Sequence, residues 1–468
     1  MNRKFVLSVV IIAILLVGLV AFISYAGLSG NGKEKKPFLV GVTFGGNNTQ
    51  DAKTLIDKVA NYTNLFVLQS GELMRDKAAV MEIGDYAVSC GLHFAAFFES
   101  GTLFPAREAS WLGFAEERWG SMFAGVYYGD ELGGKVLDTY VVLEETIITG
   151  QWGTATTPKI LKNAVGGLTY YENGSSITYQ PNGEIVVVKS NTITYYPNGT
   201  ITLIEDSDIF TIENGTDRIA QEETYEQVLS KNPIPDCDAA AKAFTSKNRE
   251  KIANLSSQWQ LSNRSFPIFT ADYALYWWNY QSGYDMVLAE LGWNNTVAQE
   301  IGLVRGAANL QGKRWGTILT WKYTNAPYLT GGDEMFEQMK TSYECGAEYV
   351  VVFNYAEDME GPYGTLQEEH FEALERFWNE VVQNPNVVHG GVKAEAALVL
   401  PRNYGWGMRN PNDIIWGLWN ANGTSQQIWS QLQGRLAQYG TKLDIVYEDG
   451  AYPVAGKYDN IYYWNQIP

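Results

Sequence analysis

The stretch Val126-Tyr-Tyr-Gly-Asp-Glu-Leu-Gly-Gly134 sets two adjacent carboxyl groups, Asp130 and Glu131, between an apolar run and a double glycine. The run Met122 to Tyr128 reads as a buried strand, which puts the acid pair just past its C-terminal end. A barrel of parallel strands assembles its reactive groups at that end, where the strand tips converge. Paired carboxyls there suit general acid and base work on a sugar or another polar substrate. The plainer reading is that acidic residues and glycines open an exposed loop, and the stretch alone does not separate the two.

Elements able to position such a pair recur along the chain. Apolar runs at Phe38–Phe44, Leu65–Leu68, His93–Phe98, Met122–Tyr128, Phe266–Thr270, Asp285–Glu290, Gly316–Trp321 and Tyr349–Phe353 alternate with amphipathic stretches of helical spacing. Eight strand-helix units of this kind predict an α/β fold, a (β/α)8 TIM-like barrel over residues 37–388. An insertion at 135–230, after strand four, interrupts it. There Asn-Gly recurs every sixteen residues, at Asn182, Asn198 and Asn214, between β-rich runs. Asn-Gly favours tight hairpin turns, so the insertion is expected to be a stack of β-hairpins on the side of the strand tips, with Ile185, Val187, Ile201 and Leu203 alternating toward one face. Residues 389–468 predict a small flavodoxin-like unit: strand Ala396–Pro401, helix Gln426–Tyr439, then strands Lys442–Tyr447 and Asp459–Trp464.

Polar and aromatic residues at the expected strand tips make a candidate site. Asp130, Glu131 and Glu290 are the candidate catalytic carboxyls; Glu99, Asp272, Trp321, Lys322, Tyr323, Asn354 and Glu357 are candidates for substrate binding, the aromatics as a platform for a sugar face. Acidic residues also cap helices, and Asp333 and Glu334 fit that role. His93, His370 and His389 are far apart in sequence, with His370 read on a charged helix face. Cys90 and Cys345 each precede a glycine between a helix and a strand, and Cys237 stands apart. No metal motif, Walker loop or GxSxG is present, so no metal and no cofactor is expected.

The formal charge of −18 argues against nucleic acid, whose phosphates need a basic footprint. Phe5 to Gly27 is nearly continuous apolar sequence, long enough for a bilayer core that takes about 20 residues. With Arg3 and Lys4 before it, residues 1–28 read as a single-pass anchor or signal segment, 29–36 as a linker, and the bulk of the chain as extracellular. Nine Asn-X-Ser/Thr triplets follow, in keeping with an exterior glycoprotein.

Taken together, barrel, acid pair and trailing α/β unit resemble extracellular (β/α)8-barrel glycoside hydrolases. Some of these, thermophilic β-galactosidases among them, carry a glutamine-amidotransferase-like domain after the barrel. The segments Trp315-Gly-Thr-Ile-Leu-Thr-Trp-Lys-Tyr323 and Glu348-Tyr-Val-Val-Val-Phe-Asn-Tyr355 are also similar to archaeal membrane-anchored surface proteins taken for such hydrolases. The resemblance implies carboxylate acid/base hydrolysis of a poly- or oligosaccharide. One departure stands out. The large clan of retaining glycosidases places a glutamate at the end of strand seven, where this chain has Trp321-Lys322-Tyr323. A non-catalytic carbohydrate-binding or structural surface protein is therefore the alternative.

The anchor yields a direct test. If Phe5–Gly27 spans a membrane uncleaved, the protein partitions with membranes and N-terminal sequencing starts at Met1; a start at Gly27 would mark a processed, secreted chain.

Overall fold

The computed structural model describes residues 38–99, 108–138 and 236–466 apart from 260, 294 and 357, together with the strands of the intervening segment. The expected anchor over 1–28 and the linker lie outside the described residues. Among those described, no helix is long and apolar enough to cross a membrane.

Eight parallel strands close into a barrel: Leu39–Phe44, Leu65–Leu68, His93–Phe98, Phe123–Asp130, Ile268–Asp272, Met286–Leu291, Arg314–Leu319 and Tyr349–Val352, here strands one to eight. All eight expected strands are present. Two bounds matter for chemistry: strand four runs on through Asp130, and Glu290 sits inside strand six rather than at its tip. Every second residue points inward. Leu65 and Val67, Met286 and Leu288, and Tyr349 and Val351 belong to the core that fills the barrel. Continuing each alternation by one step brings Gln69, Glu290 and Phe353 to the top layer, all from even-numbered strands.

Helices Thr49–Val59, Lys77–Ser89, Cys237–Gln258, Val297–Gln311, Gly332–Cys345 and Glu368–Phe377 pack outside, near their expected places. Two short helices were not expected, Leu132–Asp138 directly after strand four and Tyr276–Gln281 after strand five. Ahead of strand four, Glu108–Phe114 winds as a tighter 3-10 turn and Ala115–Trp119 is α-helical. Cys90 and Cys345 close their helices ahead of glycines with φ of 84° and 96°, equivalent places that the sequence suggested. His370 corrects its reading. It is buried, with Nδ1 accepting from the Gln367 backbone N–H at 2.9 Å and Nε2 2.9 Å from the Thr330 carbonyl oxygen, so it caps its own helix.

The insertion forms two antiparallel sheets. Six strands from Leu168–Glu172 to Asp208–Ile212 pair in sequence order, and Arg218–Ile219, Val142–Gly150 and Gly153–Ile160 make a three-stranded sheet. The expected hairpins are there: Asn182-Gly183 and Asn198-Gly199 fall between strands that pair with each other. The third repeat differs, because the chain after Asn214-Gly215 leaves for the other sheet.

The C-terminal unit is a parallel three-stranded sheet, Ala396–Leu400 in the centre between Leu443–Tyr447 and Asn460–Tyr463, with helix Gly423–Tyr439. It docks on helix Val297–Gln311 through Gly302 and Gly306, where a Cβ would come 2.7 Å from the Leu443 carbonyl oxygen and 2.8 Å from the Val446 side chain. Only glycine admits that approach. Arg305, between them, reaches Asp444 at 2.7 Å and the Thr441 carbonyl oxygen at 2.7 Å, while Tyr458 donates to the other Asp444 oxygen at 2.9 Å. Both charged side chains are almost fully buried. Removing one leaves the other uncompensated, so Arg305→Ala is expected to cost about 3–5 kcal/mol in denaturant unfolding. The double variant Arg305→Met with Asp444→Leu should recover much of that loss.

Candidate functional site

Strand four delivers Asp130 by breaking its own alternation. Tyr127 aligns with Phe269 of strand five, and Asp130, three residues on, aligns with Ala271, only two residues on. Phe269, Ala271 and Tyr127 all belong to the barrel core. The extra residue is a β-bulge, a device that re-aims side chains at sites. Gly129, at φ 70°, supplies the backbone, and Thr270 Oγ1 fixes it by donating to the Gly129 carbonyl at 3.0 Å. Without the bulge Asp130 would face the outer helices.

A cavity of about 210 Å³ opens at this end of the barrel, lined by Gln69, Tyr127, Asp130, Glu131, Glu290 and Ile318, and toward its mouth by Trp293, Thr320, Trp321, Phe353 and Tyr355. The Tyr127 hydroxyl donates to Asp130 Oδ1. Glu131, itself in the left-handed region at φ 54°, pairs with Lys135 at 3.3 Å, and Lys135 also donates to the Asp130 carbonyl at 3.0 Å. Glu290 is 3% exposed, and among the described residues no hydrogen bond reaches its carboxyl group.

Burial and mutual repulsion shape the charges. Asp130 is pushed up to about 7, first by desolvation and then by Glu131, with Lys135 and the Tyr127 hydroxyl pulling the other way. Glu290 is raised well above the ordinary carboxylate range by burial, then by Glu131 and Asp130. Both shifts favour the protonated forms, and Asp130 is divided between its two forms near neutrality.

Trp293 and Trp321 wall the mouth. Beyond the strand ends the Trp293 N–H donates to the Trp321 carbonyl at 2.8 Å, and the Trp321 indole donates to the Tyr355 carbonyl at 2.9 Å. Their rings lie 6.2 Å apart, with Tyr328 behind Trp321 at 4.8 Å. Trp293 stays 42% exposed.

Of the residues singled out in the sequence, Asp130, Glu131, Glu290 and Trp321 come together. Others do not. Asp272 is fully buried and outside the lining; its carboxylate accepts the Gly133, Gly134, Tyr273 and Ala274 N–H groups and the Asn279 amide. Burial raises it to about 6 while those donors oppose the shift. Asn354 is buried with its oxygen taken by Thr365, and Lys322 is paired with Glu334 at 2.6 Å. Glu99 and Tyr323 are exposed and do not line the cavity. Glu357 lies outside the described residues. The strand-tip rule selected these residues by place alone, whereas packing and partners decide which tips face the cavity. Tyr127, Trp293, Thr320, Phe353 and Tyr355 were missed, and only the inward phase of strands seven and eight pointed to Thr320 and Phe353.

No family model and no curated protein matches this chain. Solved structures similar to it include GH5_18 from Streptomyces cattleya in complex with GlcNAc, at 11% identity and TM-score 0.46, covering 92% of this chain and 99% of that one. A variant of the same protein in complex with Manb1-4GlcNAc gives 10% identity, TM-score 0.47 and the same coverages. A β-galactosidase from the psychrophilic Marinomonas ef1 gives 9% and 0.47, covering 91% of this chain and 72% of that one. At such low identity no activity transfers, and the closed barrel is established by this chain's own strand pairing.

The raised Asp130 carboxyl has a consequence for stability. Folded Asp130 holds its proton more tightly than the unfolded chain, where aspartate titrates near about 3.9. Its contribution is complete below that value and is lost as pH rises through about 7. Asp130→Asn should therefore melt with a smaller drop in Tm between pH 5 and pH 8 than the parent protein. An equal or larger drop would show that Asp130 is not strained by its neighbours.

Proposed function

We propose that the chain is a glycoside-hydrolase-like enzyme that cleaves a glycosidic bond by carboxylate acid/base catalysis. The observation that carries this reading is one cavity lined by Asp130 and Glu290 from alternate barrel strands, with Trp293 and Trp321 at its mouth. Glycoside hydrolysis needs one carboxyl that keeps its proton for the leaving oxygen and another that is ionised to attack or to activate water. Glu290, buried and without a hydrogen-bond donor among the described residues, fits the proton-holding role. Asp130, whose ionised form the Tyr127 hydroxyl favours, fits the other. Glu131, held by Lys135, adds negative charge that keeps the proton on Glu290 and would stabilise an oxocarbenium-like transition state. The indoles offer flat faces to the CH groups of a sugar. The apolar run Phe5–Gly27 supports an enzyme tethered to a membrane with its barrel outside.

A glycan-binding protein without catalysis is the second reading. The observation in its favour is strand seven, whose inward tip is Thr320 and carries no carboxyl group.

Hydrolysis of a polysaccharide and oligosaccharide panel by the purified full-length chain separates the two. Asp130→Asn and Glu290→Gln should each lower kcat by about 10²–10⁴-fold, the usual worth of a positioned acid or base. The profile of kcat/KM should fall on the acid side near pH 7, as Asp130 takes up its proton. Activity that survives both substitutions would sink the mechanism, and tight glycan binding with no turnover would favour the second reading.

A further inference from the structure

Among the described residues, two that line the cavity each carry a buried oxygen with no hydrogen-bond partner. Gln69 follows strand two in phase with inward Leu65 and Val67, and its Oε1 is buried without a hydrogen bond. Thr320 follows strand seven in phase with inward Ile318, and its Oγ1 is buried and unpartnered too. Buried polar atoms are nearly always satisfied, so two exceptions around one cavity ask for a reason. The backbone N–H of each is used: that of Gln69 goes to the Phe44 carbonyl at 2.9 Å and that of Thr320 to the Leu291 carbonyl at 3.0 Å. These bonds hold the side chains in place while leaving their oxygens unused.

Their placement relative to the carboxyl groups is set by the strand order. Strand two stands diametrically opposite strand six in the closed barrel, so Gln69 faces Glu290 across the mouth. Strand seven is paired with strand six, with Ile318 in register with Glu290, so Thr320 stands one inward layer above Glu290. A carbonyl oxygen accepts a hydrogen bond and a hydroxyl can accept or donate one, which is the complement of sugar hydroxyls. The cavity, at about 210 Å³, is smaller than the roughly 300–1,000 Å³ of pockets for drug-sized ligands, which suits a single sugar ring. Three carboxyl groups line it and none of the lining side chains is cationic. An anionic ligand would meet repulsion in a partly desolvated space.

Resting on the reading of this cavity as a glycan site, we infer that Gln69 and Thr320 are its specificity-determining pair. They read two hydroxyls of one neutral sugar ring, and the carboxyl cluster rejects uronic and sulfated sugars. Neither residue takes part in proton transfer.

The test uses the full-length chain, Gln69→Leu and Thr320→Val. Binding is measured by calorimetry with neutral hexoses, their monodeoxy analogues and glucuronate, beside hydrolysis of the glycan panel. The wild type should bind a neutral hexose at least ten-fold tighter than glucuronate, and lose at least ten-fold when one recognised hydroxyl is missing. Each variant should erase the discrimination at one hydroxyl position and raise KM more than it lowers kcat. Melting temperatures should hold or rise, because each substitution removes an unpartnered buried oxygen; a purely structural role would lower them. Variants that keep both affinity and deoxy discrimination, or a wild type that prefers glucuronate, would overturn the inference while leaving a glycan enzyme standing. A wild type that neither binds nor cleaves any glycan removes the underlying reading as well.

Discussion

The acid side of the cavity depends on the buried carboxylate of Asp272. Strand four ends in a bulge and the chain then turns sharply through Glu131 into helix Leu132–Asp138. The first N–H groups of any helix lack partners within it, and here they point into the barrel wall rather than into water. Asp272 meets them: its oxygens accept Gly133 at 2.6 Å and Gly134 at 2.8 Å, with Asn279 at 2.7 Å on the same carboxylate. A negative charge at a helix start is also favoured by the helix dipole. With the helix start fixed in this way, Glu131 and Lys135 are held one turn apart, and Asp130 is held between Tyr127 and the turn. A charge that looks available for chemistry is thus committed to geometry.

The C-terminal unit extends this support. Its long loop after strand Ala396–Leu400 returns to the same short helix. Arg409 bridges Asp138, the last residue of that helix, at 2.7 Å and Asp413 at 2.8 Å, and Tyr273 donates to the other Asp138 oxygen at 2.5 Å. Gln299, on the helix after strand six, donates to the Met408 carbonyl at 3.0 Å, and Trp416 packs edge-on against Trp278 at 4.7 Å. The helix carrying Arg305 follows strand six, the strand of Glu290. One appended unit therefore clamps the elements behind both candidate catalytic strands. A binding constellation needs such second contacts, because a displacement of about 1 Å can cost two orders of magnitude in rate.

Much of this fold was legible in the sequence because buried parallel strands are short, apolar and separated by amphipathic helices, a pattern that survives without tertiary information. The eight strands and the trailing α/β sheet follow from it, and the hairpins of the insertion follow from the Asn-Gly repeat. The site was legible only in part. Asp130, Glu131 and Glu290 were recognised as carboxyls near strand tips, but strict alternation from Tyr127 turns Asp130 outward. Gly129, a lone glycine inside a strand, was the available sign of a bulge. Asp272 was misread because an aspartate at a strand tip looks alike whether it faces a ligand or a helix start. The nearby Gly133-Gly134 pair, whose N–H groups needed an acceptor, was the clue. Thr320 was hidden by its neighbour Trp321, the more conspicuous residue and the one whose chain neighbours Lys322 and Tyr323 turn out to belong to the surface.

The electrostatics separate a site from a structural motif. Asp272 and Asp444 show how this chain buries a carboxylate for structure: each is surrounded by donors, five for Asp272 and an arginine with a tyrosine for Asp444. Glu290 is almost as deeply buried, yet the charges that act on it most are the like charges of Glu131, Asp130 and Asp272, opposed by Lys135. Burial and those charges together favour its protonated form. A fold selected for stability alone would place an apolar residue there, continuing Met286 and Leu288. Three carboxyls converging on one cavity, one of them where the alternation calls for a hydrophobic side chain, run against stability, and concessions of that kind gather at sites of function.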